Sequence, residues 1–214
     1  MKNCKLSTRS HSAFGSGLLC TLAAMSLVIL GIPGMPVLGG SSAVASSTGL
    51  STIVLSKTLY GLVQSPHGPA NGPVTLSNFK HLPVYFPGER TLEGEMANGG
   101  AIGYVRTWVN KPADGDAVFI LAMQFKKSSE ARAFSSVAQS NLRNEGLDEF
   151  LVPGLPEGFE LLATQSALGK TEYIVDFAKG KYFFGIAVVN GLGDISTADA
   201  ATLAKEQNSR APAA

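Results

Sequence analysis

EYIVDFAKGKYFFGIAVVN, residues 172–190, is the stretch from which the fold is read. Two runs of β-branched and aromatic residues flank a Lys-Gly-Lys centre, the pattern of an antiparallel hairpin. A two-residue turn at Lys179-Gly180 sets Phe177 opposite Tyr182, Val175 opposite Phe184 and Tyr173 opposite Ile186. All six then fall on one face, and such cross-strand pairs contribute about 0.2–1 kcal/mol each. A one-residue bulge at Gly180 would pair Phe177 with Lys181 and spoil the match.

Upstream, Ile102–Asn110 is dense in β-formers, and Ala117–Phe125 is a second strand. The link Lys111-Pro112-Ala113-Asp114-Gly115 is turn chemistry, so the two strands form an antiparallel pair. Phe119, Leu121 and Met123 alternate with Val118, Ile120 and Ala122, so both faces of the second strand are apolar and it belongs in the middle of a sheet. Leu161–Thr164 reads as a further short strand. A helix is predicted from a cap at Ser128 or Ser129 to about Asn144. Ala131, Phe134, Val137, Ala138 and Leu142 share its apolar face, Arg132, Gln139 and Arg143 face away, and Gly146 ends it. Ser196-Thr197-Ala198-Asp199 has the shape of a capping box and opens a last helix through Ala201, Leu203 and Ala204 to about Ser209. The expected fold class is α+β, an antiparallel sheet of about four to five strands with two helices packed on one face.

The N-terminus carries an address. Lys2, Lys5 and Arg9 precede a stretch, Ser12 to Ser56, without a single charge. Within it lie an apolar core, Leu18–Ile32, and Ala43-Val44-Ala45 before Ser46. A basic flank, a hydrophobic core and a small-x-small site are the parts of a secretory signal, with cleavage between Ala45 and Ser46. An uncleaved anchor is the alternative, since the apolar run extends from Phe14 to Leu38 and a spanning helix needs about 20 residues. Either way the remainder is expected outside the membrane, secreted or anchored by this segment. Residues 1–45 are thus signal peptide or signal anchor, 46–100 a spacer and Gly/Pro-rich strap, and 101–214 an α+β domain.

In that strap stand Val54-Leu55-Ser56-Lys57-Thr58-Leu59, Gly61-Leu62-Val63, Ser65-Pro66, Gly68-Pro69 and Asn71-Gly72-Pro73-Val74-Thr75. The prolines and glycines of Leu59–Pro73 exclude a regular helix or a central strand there. Together with Ile102–Trp108 and Phe177–Tyr182, these segments resemble uncharacterised actinobacterial extracytoplasmic proteins with an N-terminal hydrophobic segment. The resemblance implies a cell-envelope setting. Its motifs are turn and core residues, and no functional residue comes with it.

Composition narrows the chemistry. The chain has 17 basic and 16 acidic residues; without the three flank cations the exported part holds 14 against 16, a net of −2. Nucleic acid is not an expected partner, because it requires a basic face. Both cysteines, Cys4 and Cys20, lie in the targeting segment, so the exported part has no disulfide, thiolate nucleophile or cysteine metal site. His67 and His81 lack partners at ligand spacing, and no metal site is expected. Asp114-Gly115-Asp116 lacks the later oxygen ligands of a calcium loop. Asn190, Asp194, Ser196 and Asp199 are explained first by helix capping. Gly191-Leu192-Gly193 lacks the third glycine and the βαβ setting of a dinucleotide loop. No Gly-x-Ser-x-Gly elbow occurs, and the charge run Glu89, Arg90, Glu93, Glu95 is read as a solvated face. No catalytic residue and no cofactor is therefore assigned. Arg106 and Trp108, two apart on a strand, share a face and could cradle a sugar or an anion; a packed Trp covered by the Arg stem is the plainer reading.

Three functions remain open. The first is a non-catalytic envelope module that binds a protein, polymer or lipid. The second is a carrier or sensor of a small apolar ligand, held in a pocket between sheet and helices. The third is a hydrolase with scattered carboxylates.

Overall fold

The computed structural model describes residues 49–58, 61–66, 70–82, 89–110, 116–145, 147–150, 160–165, 171–190 and 195–212. The signal core, the Ala45–Ser46 cleavage site, His67, the 111–115 turn and the 191–194 loop lie outside them.

The hairpin forms, from β7 (Thr171–Lys179) and β8 (Tyr182–Asn190). Its turn is Gly180-Lys181, one position later than expected, so Phe177 faces Phe184, Val175 faces Ile186 and Tyr173 faces Val188. Gly180 adopts φ +57°, a left-handed conformation that its missing Cβ permits. The expected register is thus wrong by two residues while the face is right. A slip of two leaves every side chain on its own side of a pleated strand. The Phe177 and Phe184 rings stack with centroids 5.0 Å apart.

Strands β3 (Ile102–Val109) and β4 (Ala117–Gln124) pair antiparallel, and β4 pairs β8 on its other edge, so β4 is central as its two apolar faces predict. Beyond β7 come β6 (Glu160–Gln165) and the short β5 (Asp148–Phe150). On the opposite side, β1 (Val63–Gln64) and β2 (Gly72–Val74) lie end to end along β3. Pro73 has no N–H for a ladder and sits on this edge. Eight strands among the described residues, all antiparallel, replace the expected four or five. The strap and the three-residue β5 supply the short edge strands that hydrophobic patterning does not reveal.

Helices cover both faces, not one. On one face lie α1, a helical stretch over 49–53, and α5 (Thr197–Arg210). Leu50, Val54, Leu203 and Ala204 pack there against Trp108, Ile120, Phe177 and Phe184. On the other face lie α3 (Glu89–Gly99), which follows the single turn α2 (Leu76–Phe79), and α4 (Ser128–Asn144). Leu92, Met96, Phe134 and Ala138 meet Val105, Leu121, Met123 and Phe183. Strands β4 and β8 are apolar on both sides, and each side needs its own cover.

The boundaries of α4 are close to those expected, with Lys127 as N-cap and Glu145 as C-cap. Gln139 departs from its expected outward position and is buried. Ser196 and Asp199 form the capping box of α5: the Ser196 N–H and Oγ both donate to Asp199 Oδ2, at 2.8 and 2.6 Å. The Glu89–Glu95 charge run belongs to α3, where Leu92 and Met96, four apart, form the buried side.

A candidate ligand cleft beside Asp176

Along the α4-facing side of β8 the side chains run Phe183, Gly185, Ala187: one ring, no side chain, one methyl. The neighbouring strands set two rungs at the small residues. One crosses the sheet as Val105, Leu121, Gly185 and Asp176, the next as Thr107, Phe119, Ala187 and Ile174. Over Phe183 the layer is filled, with the Phe134 ring 4.7 Å from it and Phe125 and Phe79 packed on Phe134. Over Gly185 and Ala187 it is not. A small cleft that opens to solvent remains there, with an enclosed volume of about 20 Å³. Leu82, Leu142, Phe119, Leu121 and Ile174 line it together with Asp176.

Asp176 is the polar group in this apolar wall. It is 1% exposed, both carboxylate oxygens are buried, and neither has a hydrogen-bond partner in the protein. A Cβ on Gly185 would stand 3.0 Å from Asp176 Oδ1 and 3.3 Å from the Phe183 ring, so glycine at 185 leaves the carboxylate its place over β8. The α4 side chain nearest in role is Gln139, whose Nε2 donates to the Asp176 backbone carbonyl at 3.1 Å and leaves the carboxylate unserved. Burial without a partner disfavours the charged form and pushes the carboxyl up from 3.8 to about 7. Near neutral pH it is therefore present both as an acid that donates one hydrogen bond and as a carboxylate that only accepts. Burial raises Glu172 as well. That residue is on the same strand face but four positions away, about 13 Å along the strand, too far for paired-carboxylate hydrolysis.

Asp176 escaped the reading of the sequence because the hairpin argument followed the opposite face, Tyr173, Val175 and Phe177. The available signal was a lone acid between Ile174 and Ala178 on a strand with cover on both sides.

Arg106 and Trp108 lie on the other layer. Trp108 is buried in the α1–α5 core, and Arg106 crosses the Tyr104 ring at 5.5 Å. The Arg106 guanidinium donates to the carbonyls of Val54 (Nη1, 3.0 Å), Leu55 (Nη1, 2.6 Å) and Ser51 (Nη2, 3.1 Å), where α1 ends. Arg210 adds a bond to the Val54 carbonyl at 3.2 Å. Gln207 completes the clamp: it accepts from the Leu55 N–H at 3.0 Å and donates to the Ile53 carbonyl at 2.9 Å. The structure thus places Arg106 in the holding of α1 and Trp108 in the core beneath it, and does not bring them to the cleft.

His81 is exposed, and the Asn190 side chain bonds both backbone groups of Ile195, the residue before the α5 cap. Among the described residues no group of His, Cys, Asp and Glu is placed to hold a metal ion, and no helix is long and apolar enough to cross a membrane.

No family model and no curated protein matches the chain. Among solved structures it is similar to the extracellular domain of PknH from Mycobacterium tuberculosis, with 11% identity, a TM-score of 0.42, and coverage of 77% of this chain and 90% of that one. No residue of the cleft is transferred from it.

Proposed function

We propose that this chain is a non-catalytic binding domain that works outside the cytoplasmic membrane and takes a small, largely apolar molecule into the cleft above Gly185 and Ala187. The observation that carries this reading is an apolar cleft that opens to solvent over Gly185 and Ala187 of β8, with the buried, unpartnered carboxyl of Asp176 in its wall. Small-molecule sites are mostly apolar with one or two polar groups that set orientation, and this cleft has that composition. The basic flank, the apolar core and Ala43-Val44-Ala45 support the location, as does the resemblance to extracytoplasmic proteins. Among the described residues the cleft holds a single carboxyl, which favours binding over hydrolysis.

The test is a titration with toluene followed through the methyl resonances of the protein. Leu121, Leu142 and Ile174 should shift together and saturate. Ala187→Leu, which fills the floor, should abolish the effect without lowering the melting temperature. Shifts scattered over the surface, or unchanged by Ala187→Leu, would sink the reading.

A further inference from the structure

The Asp176 carboxylate lines the cleft, and among the described residues neither of its oxygens has a partner. From β8 the residue opposite is Gly185. From α4 it is Gln139, engaged with the main chain. On β7 itself the titratable group on the same face is Glu172, about 13 Å along the strand. Arg143 of α4 pairs with Glu149 at the surface, 3.4 Å away. Asp176 itself thus repels a second negative charge, and among the described residues no lysine or arginine pairs with its carboxylate.

We propose that the cleft selects an apolar molecule bearing one basic amine, its ammonium seated against both Asp176 oxygens and its hydrocarbon lying along Leu121, Leu142, Ile174 and Ala187. This rests on the reading of the cleft as a binding site and adds the chemical class of its occupant. An ammonium has three donors and satisfies both bare oxygens at once, whereas a hydroxyl supplies one. In a layer that excludes water, opposite charges attract far more strongly than in solution. A carboxylate or phosphate headgroup would meet like charge. The glycine at 185 fits the same design, since it leaves room beside Oδ1 where any side chain would crowd the carboxylate. The bound ammonium replaces the proton that burial otherwise keeps on Asp176, so amine binding and protonation of Asp176 compete.

Three molecules of one shape distinguish the possibilities: hexylamine, 1-hexanol and hexanoate. Each is titrated into the full-length chain in lipid nanodiscs, with the aspartate carboxyl carbons labelled for NMR. At pH 8 hexylamine should bind at least about 30-fold more tightly than 1-hexanol, the scale of a desolvated ion pair, and hexanoate should be the weakest. Below the titration of Asp176 the hexylamine affinity should fall about tenfold per pH unit, and saturating hexylamine should move that titration to lower pH. Asp176→Asn should reduce hexylamine to the level of 1-hexanol and remove the pH dependence. Equal binding of hexylamine and 1-hexanol at the cleft would overturn the amine while leaving an apolar binding site. Failure of both to bind would overturn the site as well. The Asp176 carboxyl shift is read in the unmodified chain, so a variant that fails to fold does not protect the proposal.

Discussion

Asp176 couples folding to pH with a sign opposite to that of a salt-bridged aspartate. In the unfolded chain it titrates near 3.8, in the folded protein near 7. Below both values it is protonated in either state and costs nothing extra. Between them the folded state retains a proton that the unfolded state releases, so stability falls as pH rises. Above about 7 the loss is complete, about 4 kcal/mol for a displacement of roughly three pH units. Asp176→Leu removes this coupling by putting an apolar group of similar size in place of the carboxyl. The variant should match or exceed the wild type at pH 8 by about 2–4 kcal/mol and lose most of that advantage by pH 4. Urea unfolding of both proteins at the two pH values checks it. A difference that is independent of pH would mean that Asp176 is not titrating in the core. At this same scale Gln139 illustrates a limit of periodicity: its place on the α4 helix predicts exposure, yet a carbonyl on β7 draws it inward.

At the scale of elements, α1 is held in place by side chains remote in sequence. One short helical stretch presents its terminal carbonyls to Arg106 of β3 and to Gln207 and Arg210 of α5. Gln207 is fully buried and serves two backbone groups. Gln207→Ala leaves both without their partner and should cost about 2–4 kcal/mol. Hydrogen exchange gives the sharper readout, since the Leu55 amide should lose protection while the amides of β4 keep theirs. Unchanged protection at Leu55 would show that the clamp does not hold α1. Thr52–Leu55 reads locally as a β-branched and aliphatic run, and tertiary contacts override that preference. Helix α3 was hidden for a related reason. Gly94 and Gly99 weaken its helical signal, and three glutamates draw attention from Leu92 and Met96.

For the whole molecule, stability rests on two apolar layers and a continuous sheet. Every cysteine precedes residue 21. The part from Ser46 to Ala214, produced in the cytosol, should therefore fold to the same state as the exported protein, with a melting temperature unmoved by reductant. Thermal melts of both preparations with and without reductant test this. A cytosolic product that is unfolded beside a folded exported one would show that an occupant or partner from the envelope supplies free energy that the chain lacks.

The sequence by itself determined what depends on near neighbours. The hairpin and its facing set, the central strand, the face and length of α4 and the cap of α5 follow from periods of two and 3.6 and from side chains that bond three residues away. A targeting signal is a linear pattern as well, and the compartment it implies stands as an expectation. Only the tertiary structure decided the register at Gly180, the division of helices between two faces, the clamp on α1 and the cleft at Asp176. A hairpin's register is shared with β4 and β6 on either side, and a slip of two costs nothing in facing. The cleft exists because Gly185 and Ala187 on β8 lie beside Asp176 and Ile174 on β7, and because the Phe134 ring of α4 covers the rung of Phe183 and not theirs. Which small residues end up under which helix is a matter of long-range packing, and no local window of the chain contains it.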